Sequence, residues 1–112
     1  MSKKYIPVRG DIVFTDFDPS AGHEQAHQRP ALVLSPEPFN NQIQLALVAP
    51  ITSKVRGHGF EVKLDGSTNT QGVVLCQQVK TIDYEYRGIK FIEKAPQCII
   101  NDALARVRAL VS

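Results

Sequence analysis

The sequence has no tryptophan, only two cysteines and no long apolar run. No stretch approaches the roughly 20 consecutive apolar residues that a transmembrane helix needs, so we expect no membrane-spanning segment. Cys76 and Cys98 stand outside any metal-ligand spacing, and we expect two free, buried thiols in a reducing cytoplasm. The N-terminal segment lacks the apolar core of a signal peptide, which predicts a protein that is not exported.

A large excess of one charge is also missing. Thirteen basic and 11 acidic residues give a formal net charge of +2. This value is too small to indicate a polyanionic partner, because nucleic-acid binding depends on clustered rather than total positive charge. Hydrophobic residues make up 43% of the 112 positions, as in a folded globular protein. The length predicts one domain over residues 1–112 with one hydrophobic core.

Short apolar or alternating segments occupy most of the chain. Their β-branched and aromatic residues, with boundaries at glycine, proline and asparagine, are typical of strands. We predict about six strands, at Asp11–Phe17, Ala31–Leu34, Leu45–Ala49, Gly59–Leu64, Gly72–Ile82 and Gly88–Ile92. This spacing is typical of a small antiparallel barrel or sandwich.

The end of the chain changes its periodicity. After Pro96, apolar residues recur at helical spacing, which predicts one amphipathic helix packed on the sheet. The segment Ser35–Asn41 predicts a turn or loop because of its prolines and asparagines. A longer polar segment runs from Asp18 to Pro30. A loop of that length in so small a domain indicates a functional role.

The long loop contains a zinc-protease pattern, H-E-x-x-H, at His23-Glu24-Gln25-Ala26-His27. That chemistry needs both histidines on one face of a helix, with glutamate as the base. Pro19, Gly22 and Pro30 flank the pattern, so no sustained helix is expected to hold the histidines together. No recognisable spacing supplies a third protein ligand. We therefore interpret these residues as loop residues and predict neither a metal nor another cofactor.

A series of motifs gives the sequence a specific likeness. They are Gly10-Asp11-Ile12-Val13, Phe17-Asp18-Pro19, Gly22-His23-Glu24-Gln25, Arg29-Pro30-Ala31-Leu32-Val33-Leu34-Ser35, Ala49-Pro50-Ile51-Thr52, Gly72-Val73-Val74-Leu75 and Gln78-Val79-Lys80-Thr81-Ile82-Asp83. In order and spacing they resemble the MazF/PemK/Kid toxins, and the likeness runs nearly end to end. It implies a mainly β fold with a C-terminal helix, specifically an SH3-like antiparallel β-barrel that forms a homodimer.

The resemblance also implies a function. The expected protein is the toxin of a type II toxin-antitoxin system, neutralised by a cognate antitoxin protein. It would be a sequence-selective, metal-independent endoribonuclease that cleaves single-stranded mRNA to 2′,3′-cyclic phosphate and 5′-hydroxyl ends, which stops translation and growth. The alternative is a non-catalytic toxin or antitoxin-binding module of the same fold, either a topoisomerase poison or a decayed nuclease. Related topoisomerase poisons resemble one another in a tryptophan-bearing C-terminus, which this chain lacks.

Three residues are the candidates for catalysis. Arg29 offers a planar, permanently charged fork for phosphate oxygens where the loop enters a strand, which suits transition-state stabilisation. Its alternative is an ordinary solvated or ion-paired arginine. Glu24 matches the family acid and is the preferred general base, or else a surface carboxylate. The resemblance implies a role for Thr52, whose hydroxyl can donate to phosphate oxygens or simply cap the strand.

Further residues are predicted to bind RNA through hydrogen bonds or phosphate-tracking charge, although each could be an ordinary surface residue. They are His23, Gln25, Ser53, Lys54, Arg56, Gln77, Lys80 and Arg87, with Lys90 as an additional cation. One departure affects the mechanism. Several family members have an aspartate, proposed as the base, where this chain has Gln77. Glutamine cannot accept the proton, so the base is Glu24 or, since histidine titrates near neutrality, His23.

Overall fold

A computed structural model describes residues 4–17, 28–55, 57 and 59–112. Within these ranges the strands are β1 (Asp11–Asp16), β2 (Gln28–Val33), β3 (Ala46–Thr52), β4 (Glu61–Lys63), β5 (Val73–Leu75), β6 (Lys80–Ile82) and β7 (Lys90–Lys94). The helices are α1 (Glu37–Ile43), α2 (Tyr84–Arg87) and α3 (Gln97–Leu110), with a 3₁₀ turn at Cys76–Gln78. The terminal helix and five of the six predicted strands are confirmed, with shifted ends.

The strands form one antiparallel sheet with the hydrogen-bonded order β4-β5-β3-β2-β1-β7, and β6 also pairs with β3. Because β4 and β7 end this path without pairing with each other, the sheet is not closed among the described residues. The coarse expectation of a mainly antiparallel β protein with a C-terminal helix is confirmed.

One edge of β3 is shared by two short strands. Ile51 and Thr52 pair with β5, whereas the beginning of β3 pairs with β6. The 3₁₀ turn Cys76–Gln78 separates the two pairings. The prediction of one continuous strand from Gly72 to Ile82 was therefore wrong. The segment forms two short strands, β5 and β6, which pair with β3 in two different registers.

The prediction of a turn or loop over Ser35–Asn41 was also wrong, since α1 begins within it. Pro36 precedes the helix and Pro38 lies in its first turn, where proline is compatible with helical backbone. Asn40 is fully buried. Its Nδ2 donates to the carbonyl oxygens of Pro7 at 2.8 Å and Ser35 at 3.0 Å, which fixes the helix against the N-terminal segment.

Strands β1, β2 and β3 have apolar side chains on both faces. One face carries Ile12 and Leu32, which pack with α3, β4 and β5. The other carries Val13 and Ala31, which pack with the last residue of β6, the first residue of α2 and Tyr5. Adjacent residues in each strand thus belong to different clusters, as the period of two in a strand requires. The single core expected from the length is in fact two clusters.

Helix α3 buries Ile99, Ile100 and Ala103 and leaves its C-terminal end exposed. Both cysteines are free, but only Cys76 is buried. The prediction that Cys98 is buried was wrong, because its side chain lies on the outward face of the first turn. Burial raises the pKa of the Cys76 thiol to about 11. No helix in the described ranges has the length and apolar character needed to cross a bilayer.

Candidate active site

A polar cleft of about 440 Å³ lies where β2 begins and β3 ends. Its lining brings together four of the residues that the sequence singles out, with two neighbours: Arg29, Thr52, Ser53, Lys54, Leu75 and Gln78. Two cations, two hydroxyls and one amide therefore face one space. The described part of its lining contains no carboxylate.

Strand register places the arginine. Thr15 and Arg29 are partners in the ladder of β1 and β2, and Ala31 pairs with Pro50 of β3. Continuing that register by two residues brings Arg29 beside Thr52, on the same face of the sheet. Arg29 is half-buried, so rigid strands hold its base while its guanidinium group reaches the cleft.

The wall opposite Arg29 is the segment Thr52–Lys54, which leaves the end of β3. The backbone N–H of Lys54 donates to Oγ1 of Thr52 at 3.2 Å. The threonine hydroxyl accepts this bond, so its own hydrogen stays available for donation to a ligand. Ser53 and Lys54 are exposed at the mouth of the cleft. This wall can offer two hydroxyl donors and one ammonium group to an anion.

The 3₁₀ turn supplies the third side of the cleft. It follows Leu75 and ends at Gln78, and both residues line the space. Gln77 is half-buried beside them. Gln78 was not among the predicted site residues, because the predicted continuous strand gave no reason to expect its side chain at the cleft. Its adjacency to Gln77 was the available signal.

Three of the predicted RNA-binding cations lie apart from this lining. The ammonium group of Lys80 lies 5.7 Å from the ring centroid of Phe17. Nη1 of Arg87 donates to the carbonyl oxygen of Asp16 at 2.9 Å, at the last residue of β1. Lys90 is exposed on β7. Among the residues described, these three side chains do not share the cleft with Arg29.

Four candidates, His23, Glu24, Gln25 and Arg56, lie outside the described residues, as does the rest of the H-E-x-x-H pattern. Asp16 and Gln28, the strand residues on either side of the first three, are ladder partners. Within the described ranges, no three histidine, cysteine, aspartate or glutamate residues are grouped so as to hold a metal ion.

The comparisons with known proteins agree with this arrangement. A family model described as PemK-like, MazF-like toxin of type II toxin-antitoxin system matches residues 8–111. Endoribonuclease PemK of Escherichia coli is 43% identical over 108 residues, covering 93% of this chain and 81% of PemK. Endoribonuclease toxin ChpB of Escherichia coli (strain K12) is 45% identical over 116 residues, 99% of each chain.

A solved structure gives the same result. The crystal structure of MazE-MazF (Form-II) from Deinococcus radiodurans superposes with a TM-score of 0.89 at 35% identity, covering 96% of this chain and 97% of that chain. The antiparallel sheet with its terminal helix is thus shared with this solved structure. The chain belongs to the PemK-like, MazF-like toxin family of type II toxin-antitoxin systems.

Proposed function

We propose that this protein is the toxin of a type II toxin-antitoxin pair, an endoribonuclease that cleaves single-stranded mRNA in the cytoplasm and so stops translation and growth. One observation carries the proposal: Arg29 shares a single cleft with Thr52, Ser53 and Lys54. The relatives PemK and ChpB are named endoribonucleases, which supports the same activity. RNA offers the phosphates and 2′-hydroxyls that such a cleft would bind.

The chemistry is cleavage by the substrate's own 2′-hydroxyl. Its oxygen attacks the adjacent phosphorus, a base takes its proton, and the bond from phosphorus to the 5′-oxygen breaks as that oxygen is protonated. The products are a 2′,3′-cyclic phosphate and a 5′-hydroxyl. Atoms and charge balance without a metal or other cofactor, because the nucleophile is internal.

The cleft residues have distinct roles in this scheme. Arg29 stabilises the charge that develops on the phosphorane oxygens and also serves as the proton donor to the leaving oxygen. The hydroxyls of Thr52 and Ser53 donate to the non-bridging oxygens of the scissile phosphate, and the ammonium group of Lys54 attracts the RNA phosphate backbone. Glu24 is the preferred base and His23 the alternative. His23, Gln25, Arg56 and Gln77 complete the RNA-binding set, with Lys80 and Arg87 contributing more distant charge.

We further propose that the single domain over residues 1–112 is an SH3-like barrel and forms a homodimer. The division of the β3 edge between β5 and β6 supports a strongly bent sheet. An apolar depression of about 370 Å³ between α1 and α3 supports self-association, with Leu34, Phe39, Leu47, Leu104 and Val107 in its lining. Phe39 is 44% exposed although it is a large apolar side chain. A second copy of the chain would bury this surface.

The partner that neutralises the toxin is proposed to be a cognate antitoxin protein. The similar structure from Deinococcus radiodurans is described as a MazE-MazF complex. An antitoxin that covers the cleft would need acidic or polar groups for Arg29 and Lys54, so it would compete with RNA for the same cations.

The proposal is tested by incubating EDTA-treated protein with a long unstructured RNA and mapping both cut sites and end groups. We expect discrete cuts with cyclic phosphate and 5′-hydroxyl ends. Arg29→Ala should abolish cleavage, whereas Arg108→Ala removes the same charge from an exposed position on α3 and should cut normally. Intact RNA with wild-type protein, even after zinc or magnesium is added, would instead favour a non-catalytic binding module or a decayed nuclease.

A further inference from the structure

The carboxylate of Glu93 holds the loop between β4 and β5 from across the sheet. Glu93 lies on the edge strand β7, opposite Ile12 of β1. Its Oε1 accepts the backbone N–H of Asn69 at 3.1 Å, and its Oε2 accepts the backbone N–H and the hydroxyl of Thr70, each at 2.7 Å. Hydrogen bonds to an ionised acceptor are stronger than neutral ones. Three donors on two adjacent residues therefore converge on one side chain.

The loop is also bonded within itself. Asp65 accepts the backbone N–H of Ser67 at 3.1 Å and its hydroxyl at 2.6 Å. The hydroxyl of Thr68, which is buried, donates to the carbonyl oxygen of Thr70 at 2.6 Å. These short-range bonds give residues 65–70 a defined shape, and only Gln71 separates Thr70 from Gly72.

The far end of this loop closes on the active-site wall at Gly72. The backbone there has a φ of +118°, and a Cβ built on Gly72 would lie 2.2 Å from the carbonyl oxygen of Thr52 and 3.2 Å from Cα of Ser53. Only glycine fits this approach. The carbonyl of Gly72 accepts the N–H of Leu64 at 3.0 Å, which fixes the glycine against β4. The loop thus abuts the backbone from which the cleft hydroxyls project.

We propose that Glu93 is a positioning residue for the Thr52–Lys54 wall, acting through the β4–β5 loop and Gly72. This inference rests on the proposed function, since the wall is taken to bind the scissile phosphate. Glu93 does not line the cleft and does not contact RNA in this scheme. It fixes the end of the β4–β5 loop at Gly72, and Gly72 in turn packs against the Thr52 carbonyl. A wall displaced by a fraction of an ångström would hold its hydroxyls out of line with the phosphorane oxygens.

A purely structural role for Glu93 makes a different prediction. The strands β4 and β5 each contain only three residues. In this alternative, the hydrogen bonds to Glu93 merely hold the short β4–β5 hairpin on the protein. Loss of the clamp would then lower the stability of the hairpin without changing the rate constant of the folded enzyme. A rate measured on folded protein, together with a local probe of the wall, separates the two roles.

The variants form a graded series. Thr70→Val removes one donor, Glu93→Gln removes the charge and one acceptor oxygen, and Glu93→Ala removes the whole clamp. Gly72→Ala acts directly on the wall but introduces strain, so it is the confirming variant rather than the main one. The matched control is Glu85→Gln, because Glu85 is also a surface carboxylate with a partner, Lys4 at 2.7 Å, outside the cleft lining.

The first measurement is steady-state cleavage of a short RNA that contains one mapped cut site, at a temperature where every variant is folded. We expect kcat to fall progressively through the series, by about tenfold in Glu93→Ala, with KM changed by less than about twofold. Glu85→Gln should cleave at the wild-type rate. An unchanged kcat in Glu93→Ala would overturn the proposal, because the cleft would then not depend on the clamp.

The second measurement needs no RNA. The amide of Lys54 donates to Thr52 Oγ1, so its hydrogen exchange reports directly on the wall. We expect faster exchange at Lys54 in Glu93→Ala and unchanged exchange at Leu34, whose N–H donates to the Leu47 carbonyl. Slow cleavage with unchanged Lys54 exchange would also overturn the proposal. If wild-type protein failed to cleave, the proposed function would fail, while the exchange data would still decide whether Glu93 positions the wall.

Discussion

The buried carboxylate of Asp11 lies 2.7 Å from Nζ of Lys94, whose side chain is half exposed. Asp11 also accepts the hydroxyl of Tyr5 and the backbone N–H of Val8, the latter at 3.0 Å. The two residues of this ion pair are thus unequal. Asp11 accepts hydrogen bonds from two residues of the N-terminal segment, whereas the Lys94 side chain is partly exposed to solvent. Burial and the bond to Asp11 both raise the pKa of Tyr5, so its hydroxyl stays protonated as the donor.

This asymmetry predicts unequal effects of substitution. Asp11→Ala should lower the free energy of unfolding by about 3 kcal/mol, because it leaves the partly buried donors of Tyr5 and Val8 without their acceptor. Lys94→Ala should cost about 1 kcal/mol or less, since a half-exposed ammonium group loses little on separation. Urea unfolding of both variants measures the two values. Equal decreases in the free energy of unfolding would show that Asp11 contributes no more to stability than Lys94.

Thr15 provides a second test, because its hydroxyl is buried and has no hydrogen-bond partner among the described residues. Burying a hydroxyl without a partner is unfavourable, and valine has nearly the same shape. Thr15→Val should therefore raise the free energy of unfolding by about 1 kcal/mol. A destabilised Thr15→Val protein would indicate that the hydroxyl is bonded in solution.

Acid should release the Glu93 clamp. Burial raises the pKa of Glu93, but the bonds from Thr70 and Asn69 outweigh that effect and leave the pKa below its ordinary value. A carboxylate with a lowered pKa in the folded state stabilises that state above the unfolded pKa of about 4.3, and this stabilisation is lost as the pH falls through the folded value.

The stability difference between wild type and Glu93→Gln should consequently be constant near neutral pH and shrink below about pH 4.3. Thermal unfolding of both proteins across this range measures it. A difference that stayed the same down to the lowest pH would show that the ionised carboxylate is not what holds the loop.

The apolar depression between α1 and α3 predicts the effect of a charge at Phe39. Phe39→Glu should weaken self-association by roughly 30-fold or more, because an interface core does not tolerate an unpaired carboxylate. Tyr86→Glu is the control, since Tyr86 is a highly exposed aromatic residue on α2, outside the depression. Sedimentation velocity over a concentration series measures both. A Phe39→Glu protein that associates like wild type would place the dimer surface elsewhere.

Much of this architecture could be predicted from local pattern. The alternation around Val62 and the helical spacing after Pro96 each report which side of an element is buried, and both predictions were confirmed. The resemblance also predicts that Arg29 and Thr52 act in one site. Both residues line one cleft, and their role in catalysis stays a prediction.

The remaining features depend on contacts that no local pattern contains. The prolines flanking Glu37 are as compatible with a loop as with the first turn of a helix, and the burial of Asn40 against Pro7 decides between them. The two registers along β3 arise from pairing with a distant segment. The clamp at Glu93 joins residues more than 20 positions apart. Its signal in the sequence is only an acid in an edge strand.

The two apolar faces of β1–β3 have a consequence for how the protein folds. In a sheet with one wet face, a slip of one residue would expose the hydrophobic side chains, and this penalty fixes the register. Here a slip would exchange Ile12 with Val13, and either residue suits either cluster. Polar residues at the strand ends must therefore select the native alignment during folding. Asp11 is the best placed, since only the native register of β1 and β7 brings it to Lys94.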